Sequence, residues 1–108
     1  MLGDSDLEVS VIGFGAWGIG GAPFWSNEGD ENSARAIMKS YDLGVNFFDT
    51  SPTYGNAESL VGELKREYQE RVIVATKAGL RPDGVRDFSV SFLNKEALEY
   101  DKMLLIMI

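Results

Sequence analysis

Three short apolar runs alternate with two amphipathic segments, and this alternation constrains the fold more than any other feature of the chain. The runs occupy residues 9–14, 45–48 and 72–75. They are rich in β-branched and aromatic side chains, as strands with two buried faces are. Strands of this kind that alternate with helices form parallel βαβ units with right-handed crossovers. We therefore predict an α/β protein whose parallel sheet is covered by helices.

The segments between the runs have the apolar spacing of helices that cover a sheet. Gly44 is placed to end the first helix, and Asn56 is placed to cap the second. The first apolar stripe consists of Ala34, Ile37, Met38 and Tyr41, and the second of Ala57, Leu60, Val61, Leu64 and Tyr68. Before the first run, a Gly-Asp-Ser-Asp cluster at residues 3–6 indicates a small hairpin or a disordered lead-in.

Composition narrows the chemistry that the chain can carry. It has 108 residues, a formal net charge of -7, no cysteine and no histidine. This length supports one modest core, so we expect one domain or part of one. The acidic balance argues against nucleic acid and anionic membranes as main partners, and thiolate chemistry is excluded. Neither end resembles a signal peptide or a membrane span, which makes a cytoplasmic location the expectation.

Glycines follow the first run at high density, within residues 13–21. They are compatible with a flexible loop that has positive φ angles, or with close approach of the backbone to a ligand. A G-x-G-x-x-G spacing that begins at Gly13 also matches a dinucleotide fingerprint, which requires a helix to open directly behind it. A Pro-Phe-Trp segment at residues 23–25 follows instead and argues against a Rossmann fold.

Side chains that could bind a ligand or take part in catalysis lie where each predicted strand ends. Trp17 follows the first strand, Asp49 the second and Lys77 the third, while Tyr54 lies in the loop behind Asp49. Each alone has an ordinary explanation, as a packing residue, a turn cap or a solvated charge. Ligands of parallel α/β folds gather at the carboxyl ends of the strands, where neighbouring strand ends meet. The convergence of these residues therefore indicates a functional site.

These segments resemble the aldo-keto reductase family. Residues 44–58 are similar to the family signature, in which small apolar residues lead into Asp-Thr-Ala or Asp-Thr-Ser and then an aromatic-Gly-x-x-Glu. Residues 72–77 resemble the segment that carries the family's catalytic lysine, and residues 9–17 resemble its first barrel strand. The resemblance implies the N-terminal portion of a (β/α)8 TIM barrel, with parallel strands alternating with helices after a short hairpin.

The resemblance also implies an oxidoreductase that reduces a small aldehyde or ketone with a nicotinamide cofactor, usually NADPH, and without a metal. Tyr54 would donate a proton to the carbonyl oxygen, and Lys77 would stabilise the phenolate that remains. Asp49 would orient Lys77 and contact the nicotinamide side of the cofactor. Further family contacts to cofactor and substrate fall at Gly15, Ala16 and Trp17.

The same resemblance shows where the chain departs from the family. A complete barrel needs about 250 residues, and the family's catalytic histidine follows the fourth strand. Here residues 87–98, with Ser91 placed as a helix cap, lead into a compressed apolar segment at 103–108 without histidine. We expect a partial barrel of three strands that is inactive alone and associates through its open sheet edge. The alternative is a non-catalytic chain that docks this edge on a partner protein.

Overall fold

The computed structural model describes residues 1–21, 30–99 and 105–107. Strands and helices alternate along these residues, and single 3-10 turns follow the first strand and the second helix. The elements are β1 (Phe14–Gly15), α1 (Asp30–Asp42), β2 (Phe47–Asp49), α2 (Ala57–Tyr68), β3 (Ile73–Lys77), α3 (Val90–Glu99) and β4 (Leu105–Met107). The expected α/β class is confirmed.

The strands form one parallel sheet in the order β1-β2-β3-β4. Phe48 of β2 pairs with Phe14 on one side and with Val74 on the other. The expectation of a three-strand sheet is wrong, because β4 pairs with β3 and places Leu105 opposite Ala75. The edge of β3 that was expected to be open is therefore covered, and the outermost strands are β1 and β4.

One face of the sheet carries the hydrophobic core. Helices α1 and α2 pack there in a single cluster against buried side chains of β2 and β3, which confirms both apolar stripes. Tyr41 and Tyr68, the last members of the stripes, stack with ring centroids 4.2 Å apart and join the ends of the two helices. Burial of each large apolar side chain contributes about 1.5–3 kcal/mol. The largest fully buried apolar side chains are Phe48, Ile37, Val61, Val72 and Val74.

The opposite face of the sheet carries Asp49 and Lys77. Side chains alternate between the two faces of a strand, so every second residue of β2 and β3 points away from the helix-covered core. These residues are Phe47, Asp49, Ile73, Ala75 and Lys77. In a closed (β/α)8 barrel this face is the interior. Asp49 and Lys77 are the last residues of their strands and stand at its carboxyl end.

The N-terminal segment differs from the sequence prediction. Its expected hairpin is a turn, in which the N–H of Leu2 donates to the carbonyl of Leu7 at 2.9 Å, and residues 1–13 contain no assigned strand. The first strand is shorter than expected because the backbone of Glu8 and Ser10 is hydrogen-bonded to the side chain of Asn46. This side chain accepts the N–H of Ser10 and donates to the carbonyl of Glu8.

The third helix also begins differently from the prediction. It starts at Val90, and Ser89 rather than Ser91 caps it, because the hydroxyl of Ser89 accepts the N–H of Phe92 at 3.4 Å. The Pro-Phe-Trp segment at 23–25 and residues 103, 104 and 108 of the apolar segment lie outside the described residues. Among the helices described, none is long and apolar enough to cross a membrane.

Candidate active site

The carboxyl ends of β2 and β3 bring Asp49 and Lys77 into an ion pair. Asp49 pairs in register with Ala75, so Lys77 lies two residues further along the same face. Its Nζ is 3.0 Å from Oδ1 and 3.2 Å from Oδ2 of Asp49, and it donates to the carbonyl of Thr50 at 3.0 Å. The side chains are 35% and 34% exposed, so a small ligand can reach the pair from solvent.

The surroundings of Lys77 favour its charged form. Partial burial lowers the pKa of Lys77, but the hydrogen bond and charge of Asp49, together with Tyr54, raise it by more. The net effect is a pKa above that of a free lysine. Lys77 is therefore an ammonium at neutral pH. It supplies a fixed positive charge at the rim of the sheet, which is the edge formed by the carboxyl ends of the strands.

Tyr54 lies beside the ion pair. The Nζ of Lys77 is 4.8 Å from the centroid of the Tyr54 ring, which is within the range of a cation–π contact. The N–H of Tyr54 donates to the carbonyl of Ser51, and its carbonyl accepts the N–H of Ala57, both at 3.0 Å. These bonds fix the turn between β2 and α2. The structure thus brings together the three residues to which the resemblance assigned catalytic roles.

Two glycines allow the loops after β1 and β2 to touch. A Cβ on Gly20 would overlap the carbonyl of Tyr54, and a Cβ on Gly55 would overlap the carbonyl of Gly20. The two backbones can approach this closely only because both residues lack a side chain. Trp17 is thereby held beside Tyr54, with ring centroids 6.3 Å apart, and remains 49% exposed.

The glycine-rich segment does show a close backbone approach, but at Gly20 the partner is another loop of the chain, whereas the interpretation from the sequence was approach to a ligand. Of the five glycines in residues 13–21, only Gly21 has a positive φ, at +76°. A Cβ on Gly15 or Gly18 would meet no atom within 4 Å, so the backbone faces open space there. A 3-10 turn follows β1 directly, which agrees with the rejection of a Rossmann helix at this point.

Ala16 differs in placement from its two neighbours. Gly15 and Trp17 are exposed, whereas Ala16 is fully buried and its N–H donates to the carbonyl of Asp49 at 2.8 Å. This bond continues the pairing of β1 and β2 beyond their last residues. The side chain of Ala16 therefore belongs to the core, and only its backbone is placed near the rim.

A side-chain contact that no sequence pattern indicated joins β3 to α2. The hydroxyl of Thr76 donates to the carboxylate of Glu58. Thr76 is fully buried and directly precedes Lys77, and Glu58 lies in the first turn of α2. Glu58 was part of the signature that resembled the family, so the position was visible in the sequence, but its partner was not.

A groove of about 470 Å³ adjoins Lys77 at the same rim. Three segments line it: residues 51–53 after β2, residues 77–80 at the end of β3, and Arg86 with Phe88 before α3. The last two segments form a short hairpin, in which Leu80 and Arg86 make an antiparallel bridge. The N–H of Gly79 donates to the buried carboxylate of Glu96 at 2.8 Å, which fixes the hairpin to α3.

Comparison with known proteins identifies the family of this chain and its fold. The model of the Aldo/keto reductase family matches residues 11–101, and the chain belongs to this family. The structure is the N-terminal portion of a (β/α)8 barrel, as the resemblance implied. In the described part of the chain, no group of three or more acidic, histidine or cysteine side chains could hold a metal ion.

Individual relatives agree with this assignment. The NADH-specific methylglyoxal reductase of Escherichia coli is 40% identical over 83 residues, which cover 73% of this chain and 26% of that protein. The L-galactose dehydrogenase of Arabidopsis thaliana is 36% identical over 106 residues, which cover 91% of this chain and 32% of that protein. The chain therefore spans about a quarter to a third of these curated relatives.

Solved structures give the same picture. A putative aldo-keto reductase from Pseudomonas aeruginosa superposes with a TM-score of 0.77 at 32% identity, over 99% of this chain and 45% of that one. The holo form of an aldo-keto reductase from Bacillus halodurans gives 0.74 at 29% identity, over 90% and 33%. In both cases nearly the whole of this chain corresponds to less than half of a larger barrel.

Proposed function

We propose that the chain carries part of the active site of an oxidoreductase that reduces a small aldehyde or ketone. The observation that carries the proposal is the grouping of Tyr54, Lys77 and Asp49 at one rim of the sheet. A phenol beside a partly buried ammonium group is suited to give a proton to a carbonyl oxygen. One of the relatives is named a methylglyoxal reductase, which is consistent with a carbonyl substrate.

Each of the three residues has a separate task in this proposal. Tyr54 donates its hydroxyl proton to the carbonyl oxygen of the substrate. Lys77, with its Nζ 4.8 Å from the ring centroid, attracts the negative charge that Tyr54 acquires as the proton leaves. Asp49 holds the ammonium in place through both carboxylate oxygens and compensates its charge while the phenol is neutral.

Gly15, Trp17 and Asp49 would hold the nicotinamide end of a cofactor. A Cβ on Gly15 would meet open space and Trp17 is half exposed, so the rim in front of Asp49 has room for a flat ring. Ala16, whose side chain is buried, would take part through its backbone. When bound, the nicotinamide supplies a hydride to the carbonyl carbon. We propose NADPH as the cofactor, with NADH as the alternative because the E. coli relative is named NADH-specific.

We propose that the 108-residue chain binds the nicotinamide end of the cofactor and does not complete the reaction alone. The chain spans 26% and 32% of the two curated relatives, and it contains no histidine. The alternative is that the chain has no catalytic role and docks an edge strand on a partner protein. The exposed side chains of Val11 and Ile12, just before β1, are the observation that favours this alternative.

Cofactor binding separates the two proposals. The fluorescence of NADPH, and separately of NADH, would be titrated with the purified chain and with its Trp17→Ala and Trp25→Ala variants. The first proposal predicts saturable binding that weakens in Trp17→Ala, and no oxidation of the cofactor when a carbonyl compound is added. Absence of binding by a folded chain would remove the first proposal and leave the docking alternative.

A further inference from the structure

The groove beside Lys77 combines an apolar lining with a cationic end. Pro52, Leu80 and Phe88 supply apolar surface, and Phe88 is 54% exposed. The ring of Phe88 lies directly against Gly79, where an added Cβ would overlap it, and Gly79 has a φ of +104°. This close contact places the aromatic ring at one wall of the groove. An apolar or aromatic ligand body therefore has a preformed surface to cover.

The charges at the groove are not all neutralised. Asp49 pairs with Lys77, and Arg81 is flanked by Asp83 at 3.0 Å and Asp87 at 4.0 Å. Arg86, by contrast, has no carboxylate within ion-pair distance among the side chains that the structure describes. A guanidinium that lines a cavity without a carboxylate partner favours an anionic ligand, and its planar donors match a carboxylate. In a chain of net charge -7, such a cation is notable.

We propose that this groove selects carbonyl substrates that carry a carboxylate on an apolar or aromatic body. The body covers Phe88 and Leu80, the carboxylate binds Arg86, and the carbonyl end lies toward Lys77, all of which line the same groove. This inference rests on the proposed reductase function, because it assigns the substrate class of that site. Arg86 itself takes no part in the proposed chemistry at Tyr54.

The test measures binding rather than turnover, so that it stands apart from catalysis. The ketone 4-acetylbenzoate and its neutral isostere 4-acetylbenzamide would be titrated into the ¹⁵N-labelled chain while the backbone amides of Ala78, Gly79 and Leu80 are followed by NMR. The titrations would be repeated with Arg86→Gln and with Arg81→Gln. Arg81 is the matched control, because Asp83 and Asp87 already neutralise its charge.

The expected result is that the carboxylate binds about three- to tenfold more tightly than the amide, as a partly exposed charge pair allows. Arg86→Gln should abolish this preference, and Arg81→Gln should retain it. Equal affinities in the parent chain, or a preference that survives Arg86→Gln, would overturn the inference. If the preference is found but the chain fails to bind a nicotinamide, the reductase proposal fails while the anion site stands.

Discussion

Lys77 and Asp49 end adjacent parallel strands, and their side chains meet at 3.0 Å above the sheet. Because both strands point the same way, the pair is a direct consequence of strand register. The pair also explains why the ammonium stays beside Tyr54, 4.8 Å from the ring centroid.

Replacement of Asp49 by asparagine should change the ionisation of Lys77 more than the stability of the fold. The pair is about one-third exposed, so its loss should cost only about 0.5–1 kcal/mol of unfolding free energy. The pKa of Lys77 should fall, because Asp49 is the main group that raises it. Titration of the ¹³Cε resonance of Lys77 would show this. Asp83→Asn removes an exposed pair with Arg81 and should leave the Lys77 titration unchanged.

The stabilising effect of Lys77 should persist to high pH. Its pKa is raised in the folded chain, so the contribution is fully present below the pKa of an unfolded lysine, about 10.4. It is lost only as the pH rises through the higher folded value. The difference in urea stability between the parent chain and Lys77→Met should therefore stay constant from pH 7 to 9 and shrink above about 10.4. A difference that declines between pH 7 and 9 would refute the assignment.

Gly20→Ala should disrupt the contact between the loops that carry Trp17 and Tyr54. The new Cβ would overlap the carbonyl of Tyr54, and we expect a loss of about 2 kcal/mol or more. The near-ultraviolet circular dichroism of the Trp17–Tyr54 pair should weaken as well. Gly18→Ala is the matched control, because a Cβ there meets open space, and its effect should stay within about 0.5 kcal/mol. Equal effects of the two substitutions would argue against the close approach.

Thr76→Val should destabilise the end of β3. The substitution keeps the shape of a buried side chain but removes the donor to Glu58, at a cost of about 1–3 kcal/mol. In a double-mutant cycle with Glu58→Met, which removes the acceptor, the two effects should be coupled, since the side chains contact each other. Urea denaturation of the four proteins measures the coupling. Strictly additive effects would mean that the hydrogen bond does not link α2 to β3.

Local patterns in the sequence were sufficient to predict much of the fold. The helices α1 and α2 follow from apolar spacing, and β2 and β3 from short β-branched or aromatic runs between turn signals. The grouping of Asp49, Tyr54 and Lys77 was also predictable, because parallel neighbours place their carboxyl ends at one rim. These features depend on the periodicity of apolar residues and on the alternation of strands and helices, and both can be read from one amino-acid sequence.

Other features depend on contacts between distant residues that no local pattern shows. β4 was missed because its apolar run lacks the turn signals that marked the earlier strands, and only pairing with β3 identifies it. The Thr76–Glu58 bond and the Gly20–Gly55 contact each require a partner from another segment. The groove was missed because the hairpin formed by Leu80 and Arg86 depends on a buried bond to Glu96 in α3.

The central claim is that Tyr54 delivers a proton to a carbonyl compound, and a chimera tests it most directly. The matching N-terminal segment of the E. coli methylglyoxal reductase would be replaced by this chain's segment, with Tyr54→Phe as the variant and Tyr68→Phe as the control. The control is apt because Tyr68 stacks on Tyr41, away from Lys77. In a chimera that reduces methylglyoxal, Tyr54→Phe should lower kcat by about 100-fold or more while cofactor affinity is unchanged. A Tyr54→Phe chimera that keeps full kcat would contradict the claim.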